Sequence, residues 1–403
     1  VNPLPCQVGP RHLVPIQYVE TLNDRINKVL DTDIAIIGGG TMGLATATAL
    51  ANRTTRRVRV FDAARPPHTE ASHHGHSRLV RVAYGEGRAY VPLAQEALCG
   101  WQRLNQAADA PVFIPTGILN IGAHDSPFLA EVETSARSFD LRTESLNHAD
   151  ITQRWPGWSL NTSFRGCFEP QGGVVLTERL FQYWRSVIAN SANITAIDNT
   201  PITSISRRHE RFVLRSLAGD QWQAGQILVA AGRANRALLR PLGIELPIQR
   251  VRKVFGWFDH TPEYDAARWP GFNYCGPAGD YYGFPAIDGH GVKIGRHDGG
   301  QHIEDETTPG DFGSHPSDLT DLRRLIDRHM PGVGELQRGA VCEYLRTPDE
   351  HFIIDEPIDG LFIAAGFSGH GFKFAPAIGD RLRDWMCSHA PPASFQPFNL
   401  GRF

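Results

Sequence analysis

A chain of 403 residues with 41% hydrophobic and 21% charged side chains is long enough for two lobes and a large core. With 40 basic against 43 acidic side chains the net charge is −3, so no nucleic-acid partner or other general polyanion is expected. No apolar run approaches the roughly 20 residues that span a bilayer, so no membrane partner is expected either.

Residues 1–30 read as an amino-terminal extension, a polar leader with prolines. Val19, Leu22, Ile26 and Leu30 recur near one face of a short helix in it. The start of the chain lacks a basic region followed by an apolar core, so no secretory signal is expected. Six cysteines without CxxC spacing predict neither a disulfide framework nor a zinc site, and favour a reducing, cytoplasmic setting. Three histidines gather in SHHGHS, at His73, His74 and His76, but no carboxylate or cysteine at ligand spacing accompanies them. No metal is expected there.

The first strong element is a short apolar strand, Ile34 to Ile37, ending in Gly38-Gly39-Gly40-Thr41-Met42-Gly43. An alanine-rich helix follows from Leu44 to Asn52, then a second strand, Val58 to Phe61, ending at Asp62. This is a βαβ dinucleotide signature in its proper context. Gly38 permits the tight turn, Gly40 lets the backbone approach a pyrophosphate, and Gly43 allows the helix to pack closely on the strand. The phosphates would sit at the positive end of the helix, and Asp62 would accept hydrogen bonds from ribose hydroxyls.

Two later segments repeat the pattern of strand into small-residue turn: Ile227 to Gly232, and Leu361 to Gly366. In an open α/β sheet, ligands lie at the carboxyl ends of strands, so both turns are expected to face the same cofactor. The late turn carries Gly369, His370, Gly371 and Lys373, and a helix is expected from about Ala375. Segments rich in aromatics, Pro and Gly, such as Val251 to Phe258, suggest antiparallel strands of a second domain. The expected division is a discontinuous nucleotide domain (31–111, 169–243 and 339–390), a second domain (112–168 and 244–338) and a surface tail (391–403). The fold class is α/β (α+β overall): a Rossmann-like domain with an inserted, mostly antiparallel substrate domain.

A Rossmann start does not separate nicotinamide from flavin. A cofactor-facing strand and turn near the carboxyl end, leading into a helix whose amino terminus points at the flavin pyrimidine edge, favours FAD.

These segments also carry a resemblance. GGGTMG, PPHTEASHHGHSRLVRVAYGEGRAYVPL, YYGFP, GVKIGRH, GAVCEYLRTPDEHFIID and AAGFSGHGFKF, in that order, resemble the family of monomeric sarcosine oxidase and N-methyltryptophan oxidase. The resemblance covers Asp33 to Phe403. It implies an FAD-dependent oxidase that converts a secondary amine to an imine and reduces O2 to H2O2, and it favours a monomer.

The resemblance also implies site residues. Cys342 matches the cysteine bonded through sulfur to the flavin 8α-methyl, a reaction that needs a thiolate. Thr41, Met42, Ser72, His73, His74, Val175 and Gly232 join the glycines and Asp62 as cofactor neighbours. Arg78 matches a cation beneath the flavin ring, and Lys293 the lysine that stabilises charge as oxygen is reduced. Arg81 and Lys373 match the pair that holds the substrate carboxylate, with an ion pair to Glu86 as the competing reading of Arg81. Tyr282 and His297 match pocket residues near the substrate amine, and Tyr344 a pocket wall.

Two departures stand out. His76 occupies a position where the family commonly has an acid. Asn273 lies where a sarcosine oxidase usually has an apolar pocket residue, which opens alternatives: a larger or more polar amine, or a cyclic imino acid such as pipecolate or proline. A dehydrogenase passing electrons to another acceptor is a further alternative.

Overall fold

The computed structural model describes residues 30–403, apart from Asn52 and Glu306. The helix expected over Val19 to Ile26 lies outside the described residues. Leu30 begins the first strand, Leu30–Ile37.

Five parallel strands form the centre of the first sheet, in the order Leu361–Ala365, Gln221–Val229, Leu30–Ile37, Val58–Phe61 and Ile194–Ile197. The hairpin Ile202–Arg208 and Arg211–Ser216 joins antiparallel to the first half of Gln221–Val229. Leu361–Ala365 takes up the second half, so the turns after both strands sit beside the glycine turn. Apolar residues on successive positions cover both faces, as a buried parallel sheet requires. Ile34 and Ile36 enter one core with the helices Thr41–Leu50, Val91–Ala107, Thr177–Ala189 and Ala375–Ser388, while Ala35 and Ile37 enter another with Leu238, Leu239 and Phe212. The helix expected from about Ala375 is present at that residue.

The second sheet has nine strands and is almost wholly antiparallel. Its centre runs Val333–Arg346, Gln249–His260, Val292–Arg296, Gly279–Phe284, Gly271–Gly276 and Ile118–Ala123. Side chains alternate between faces along a strand. Val254, Ile294, Tyr281, Tyr274 and Ile121 point back into a core closed by Leu322, Leu325 and Ile326 of the helix Ser317–His329. Each such aliphatic side chain contributes about 1.5–3 kcal/mol on burial. A buried bidentate pair locks the helix to the sheet: Arg252 donates to both Asp318 oxygens at 2.7 and 2.8 Å. The alternate residues form the other face, which is turned to the cofactor turns.

Two expectations on boundaries change. The division expected at 338/339 falls inside the continuous strand Val333–Arg346, whose Cys342 pairs across from Lys253 in the antiparallel sheet. The alternation there is weak because half-buried residues fill the central stretch, so the strand is hard to read from sequence. The tail after Pro391 does more than cross the surface: Phe395 and Phe398 are buried, with Phe398 against Tyr90 and Phe352.

Candidate active site

One cavity of about 1180 Å³ runs from the glycine turn to Arg81, between the carboxyl ends of the parallel strands and the open face of the antiparallel sheet. Gly38 has φ +105°, and a side chain there would come within 2.3 Å of the Ala230 carbonyl oxygen. A Cβ on Gly43 would lie 1.8 Å from the Gly38 oxygen, so this position serves close helix–strand packing and does not itself line the cavity. Gly40 caps the helix Thr41–Leu50, and the nearest atom to a Cβ built there is 3.8 Å away, which leaves the backbone open to a ligand. Thr41, Met42 and Gly232 line the same stretch. Asp62 also lines it, and its two oxygens accept backbone N–H bonds from Gly39 (2.7 Å) and Ala64 (3.0 Å). Oδ1 also lies 3.3 Å from His68 Nε2, so Oδ2 is the oxygen that keeps a lone pair for a hydroxyl.

The loop Ser72 to Ser77 is gripped from two sides. Arg78 donates to the carbonyls of Ser72 and Ser77 at 2.7 Å and of His74 at 2.6 Å. Lys293, reaching across from the antiparallel sheet, donates to the carbonyls of Gly75 (2.6 Å) and Ser77 (3.0 Å). Both cations line the cavity, as do Ser72, His73 and His74. Burial pushes the Lys293 ammonium well below its ordinary value, with the Arg78 charge adding to the effect. Burial, then Arg78, pushes His74 down to about 4, so this histidine is a neutral neighbour. His76 turns away from the cavity and packs on His290, ring centroids 3.8 Å apart. Val175 is another departure: it is fully buried in the strand Gly173–Leu176, pairs with Arg78, and does not line the cavity.

Cys342 lines the cavity wall. Burial raises its thiol, while Arg78, Lys293 and Lys253 pull towards the thiolate. Two residues on, Tyr344 meets the late turn: a side chain on Gly369 (φ +84°) would strike its ring at 2.3 Å. Gly369 and Gly371 both line the cavity, and Lys373 projects from the same turn.

Lys373 and Arg81 face one region. The Lys373 Nζ donates to the His370 carbonyl (2.8 Å) and Tyr84 Oη (3.2 Å). Burial, then Arg81, brings its pKa down to about 7. Arg81 pairs with Glu86, so the competing reading of this residue describes a real contact. That contact uses Nη2, whereas Arg81 Nη1 and Glu86 Oε2 are buried without a hydrogen-bond partner. Burial opposes the Arg81 charge, but Glu86 more than offsets it and holds the guanidinium protonated. Tyr282 and His297 line the adjacent wall, where burial raises the phenol and pushes His297 down to about 4.

Several wall residues escaped the sequence reading. Asn273 lines the cavity as expected and donates to Asn120 Oδ1 at 2.9 Å; Asn120 is fully buried behind it. Cys275 and Asp280, cross-strand partners on the same face, also line the cavity. The alternation Asn273/Cys275 and Asp280/Tyr282 was the available signal. Glu169 lies deeper: its oxygens accept the N–H groups of Val82 (2.7 Å) and Ala83 (3.1 Å), the two residues after Arg81.

Residues 33–385 match the family described as DAO, FAD dependent oxidoreductase. The chain belongs to that family. It is 36% identical over 376 residues to monomeric sarcosine oxidase of Bacillus sp. (strain NS-129), covering 92% of this chain and 96% of that protein. It is 38% identical over 375 residues to N-methyl-L-tryptophan oxidase of Citrobacter koseri, covering 92% and 99%. Among solved structures, NikD, an amino acid oxidase of nikkomycin biosynthesis, superposes with a TM-score of 0.81 at 21% identity, covering 92% and 98%. L-proline dehydrogenase from P. horikoshii superposes with a TM-score of 0.79 at 17% identity, covering 92% and 97%. These two likenesses are of fold.

The residues present fit the DAO family's FAD. The open backbone at Gly40 and the helix behind it suit a pyrophosphate, Asp62 suits ribose hydroxyls, and the cavity continues past them to a cationic end. Among the described residues no helix is long and apolar enough to cross a membrane.

Proposed function

We propose that this chain oxidises a small secondary amine bearing a carboxylate, with N-methyl amino acids as the first class to test, and that Cys342 tethers its FAD through sulfur. The observation that carries the reading is that Arg81 and Lys373 open onto the same cavity as the glycine turn, Cys342 and Lys293. FAD alone needs no cation pair of that kind.

FAD held by the glycine turn, Asp62 and Cys342 would supply a two-electron acceptor for oxidation of the C–N bond, with O2 as the final oxidant. The chain's own residues do the rest. Arg81 offers the partnerless Nη1 to the carboxylate, and Lys373 adds a second charge. The amine must lose its proton before its lone pair can assist, and the charges of Arg81 and Lys373 favour that loss. Tyr282 and His297 orient it; His297, held neutral, can accept a hydrogen bond from it. Arg78 keeps positive charge where negative charge develops, and that negative charge draws Lys293, disfavoured as an ammonium by burial and Arg78, to its protonated form. Hydrolysis of the imine then releases the primary amino acid and, from an N-methyl group, formaldehyde. The enzyme is proposed to act as a monomer.

Acid precipitation tests the tether: yellow colour stays with the pellet, and moves to the supernatant in Cys342→Ala. A colourless native pellet would refute it. The activity is tested by mixing with sarcosine, other N-methyl amino acids, pipecolate and proline. Peroxide formed in step with substrate loss supports the oxidase; flavin that stays reduced in air points to a dehydrogenase. Arg81→Met is expected to raise KM for the carboxylated substrate roughly 100-fold, as a buried ion pair loses one partner.

A further inference from the structure

The cavity face of the antiparallel sheet changes character across its width. Near Cys342 it carries Phe255 and Tyr344; at the strand Gly271–Gly276 and its neighbour it carries Asn273, Cys275 and Asp280. Four strand spacings separate the two ends, about 19 Å at ~4.8 Å per strand. The far end is a wall of acceptors. Asn120 donates its own amide to the Cys167 carbonyl (3.5 Å), so its oxygen faces Asn273 and takes that residue's N–H. The Asn273 carbonyl oxygen is thereby left for the cavity. Across the hairpin, Asp280 meets the Cys275 thiol, and its carboxyl is raised by burial and by the charge of Asp298. Arg296, the cation whose charge Asp280 feels, is engaged with Asp298 at 2.8 and 2.9 Å and with Asp321 at 3.1 Å.

None of these groups suits the substrate carboxylate, which belongs with Arg81 and Lys373. Yet they are close to it: Cys275 feels the charges of both Glu86 and Arg81. A glycine-like substrate would leave Asp280 with only the weak Cys275 thiol as a donor and the Asn273 oxygen with none, a cost that a donor group removes.

We infer that this wall receives the substrate's side chain, and that the side chain ends in a cationic hydrogen-bond donor, an ammonium or guanidinium. The inference rests on the reading of the chain as an oxidase of carboxylated amines. Asp280 provides the charge and the Asn273 oxygen a second acceptor, while Arg81 fixes the carboxylate at the other end.

The test compares α-N-methyl-L-lysine with α-N-methyl-L-norleucine, an apolar analogue of similar length, alongside sarcosine, on the holoenzyme. Anaerobic flavin reduction and kcat/KM are the readouts. The lysine derivative is expected to be favoured at least roughly tenfold, since a site built to hydrogen-bond a group rejects the analogue lacking it. That ratio should fall towards one in Asp280→Asn and, in a second variant, in Asn273→Leu. If the norleucine derivative equals or beats the lysine derivative while both reduce the flavin, the inference is overturned and the oxidase reading stands. If no N-methyl amino acid, sarcosine included, reduces the flavin, both fail together.

Discussion

The two sheets serve the cavity in opposite ways. The parallel sheet buries both faces and offers a ligand only the loops at its strand ends, so its contribution is mainly backbone, at Gly38, Gly40 and Gly232, with two side chains: Asp62 at a strand terminus and Lys373 on the turn after Leu361–Ala365. The antiparallel sheet buries one face under the helix Ser317–His329 and turns the other to the cavity, so its contribution is largely side chains, drawn from five strands. Binding of the nucleotide should therefore depend on shape at one sheet, and reactivity and selectivity on functional groups at the other, with Lys373 the exception that reaches the substrate region from the parallel side.

Substitutions can break this contrast, beginning with the most severe. Gly43→Val drives a side chain into the Gly38 carbonyl; overpacking there should cost about 3 kcal/mol of stability and eliminate flavin retention, read from absorbance and a melting curve. Lys293→Met should keep its flavin and be reduced by substrate, but reoxidise roughly 100-fold more slowly in stopped-flow mixing with O2. A variant that loses flavin altogether would place Lys293 with the shape-determining group. At Lys373 the effect is smaller and pH-dependent. Its pKa is depressed to about 7 by burial and Arg81, so the charge that attracts a carboxylate is present below that pH and fades above it. KM should rise several-fold between pH 6 and 9, and Lys373→Arg should flatten that rise. Glu169→Gln gives the mildest effect. Burial raises this carboxyl to about 7 from 4.5, so its stabilising contribution is full below about 4.5 and lost as the pH climbs through about 7. Melting temperatures of the variant should show a shallower fall across that window.

This contrast also accounts for what the sequence revealed. Gly38 to Gly43 and Asp62 form a contiguous motif whose spacing follows from one turn and one helix, so chemistry alone led to them. Arg81, Lys293 and Cys342 come from three distant strands or turns, and only the family resemblance united them. Val175 entered through that resemblance and lies in the core, in the strand paired beside Arg78. Asp280, Cys275 and Asn120 gave a faint sign, polar residues on alternate positions of otherwise apolar strands. That sign gains meaning only once the register pairs Asn273 with Asn120 and Cys275 with Asp280.

The hydrogen bonds from Lys293 to Gly75 and Ser77 join residues 218 and 216 positions apart in the chain. The histidine loop thus has its second anchor only after most of the polypeptide has been made, and Cys342 follows later still. Completion of the flavin pocket is a late event in the life of the nascent chain. An amino-terminal fragment ending before residue 290 would carry the entire nucleotide turn and still lack the parts that close around the ring.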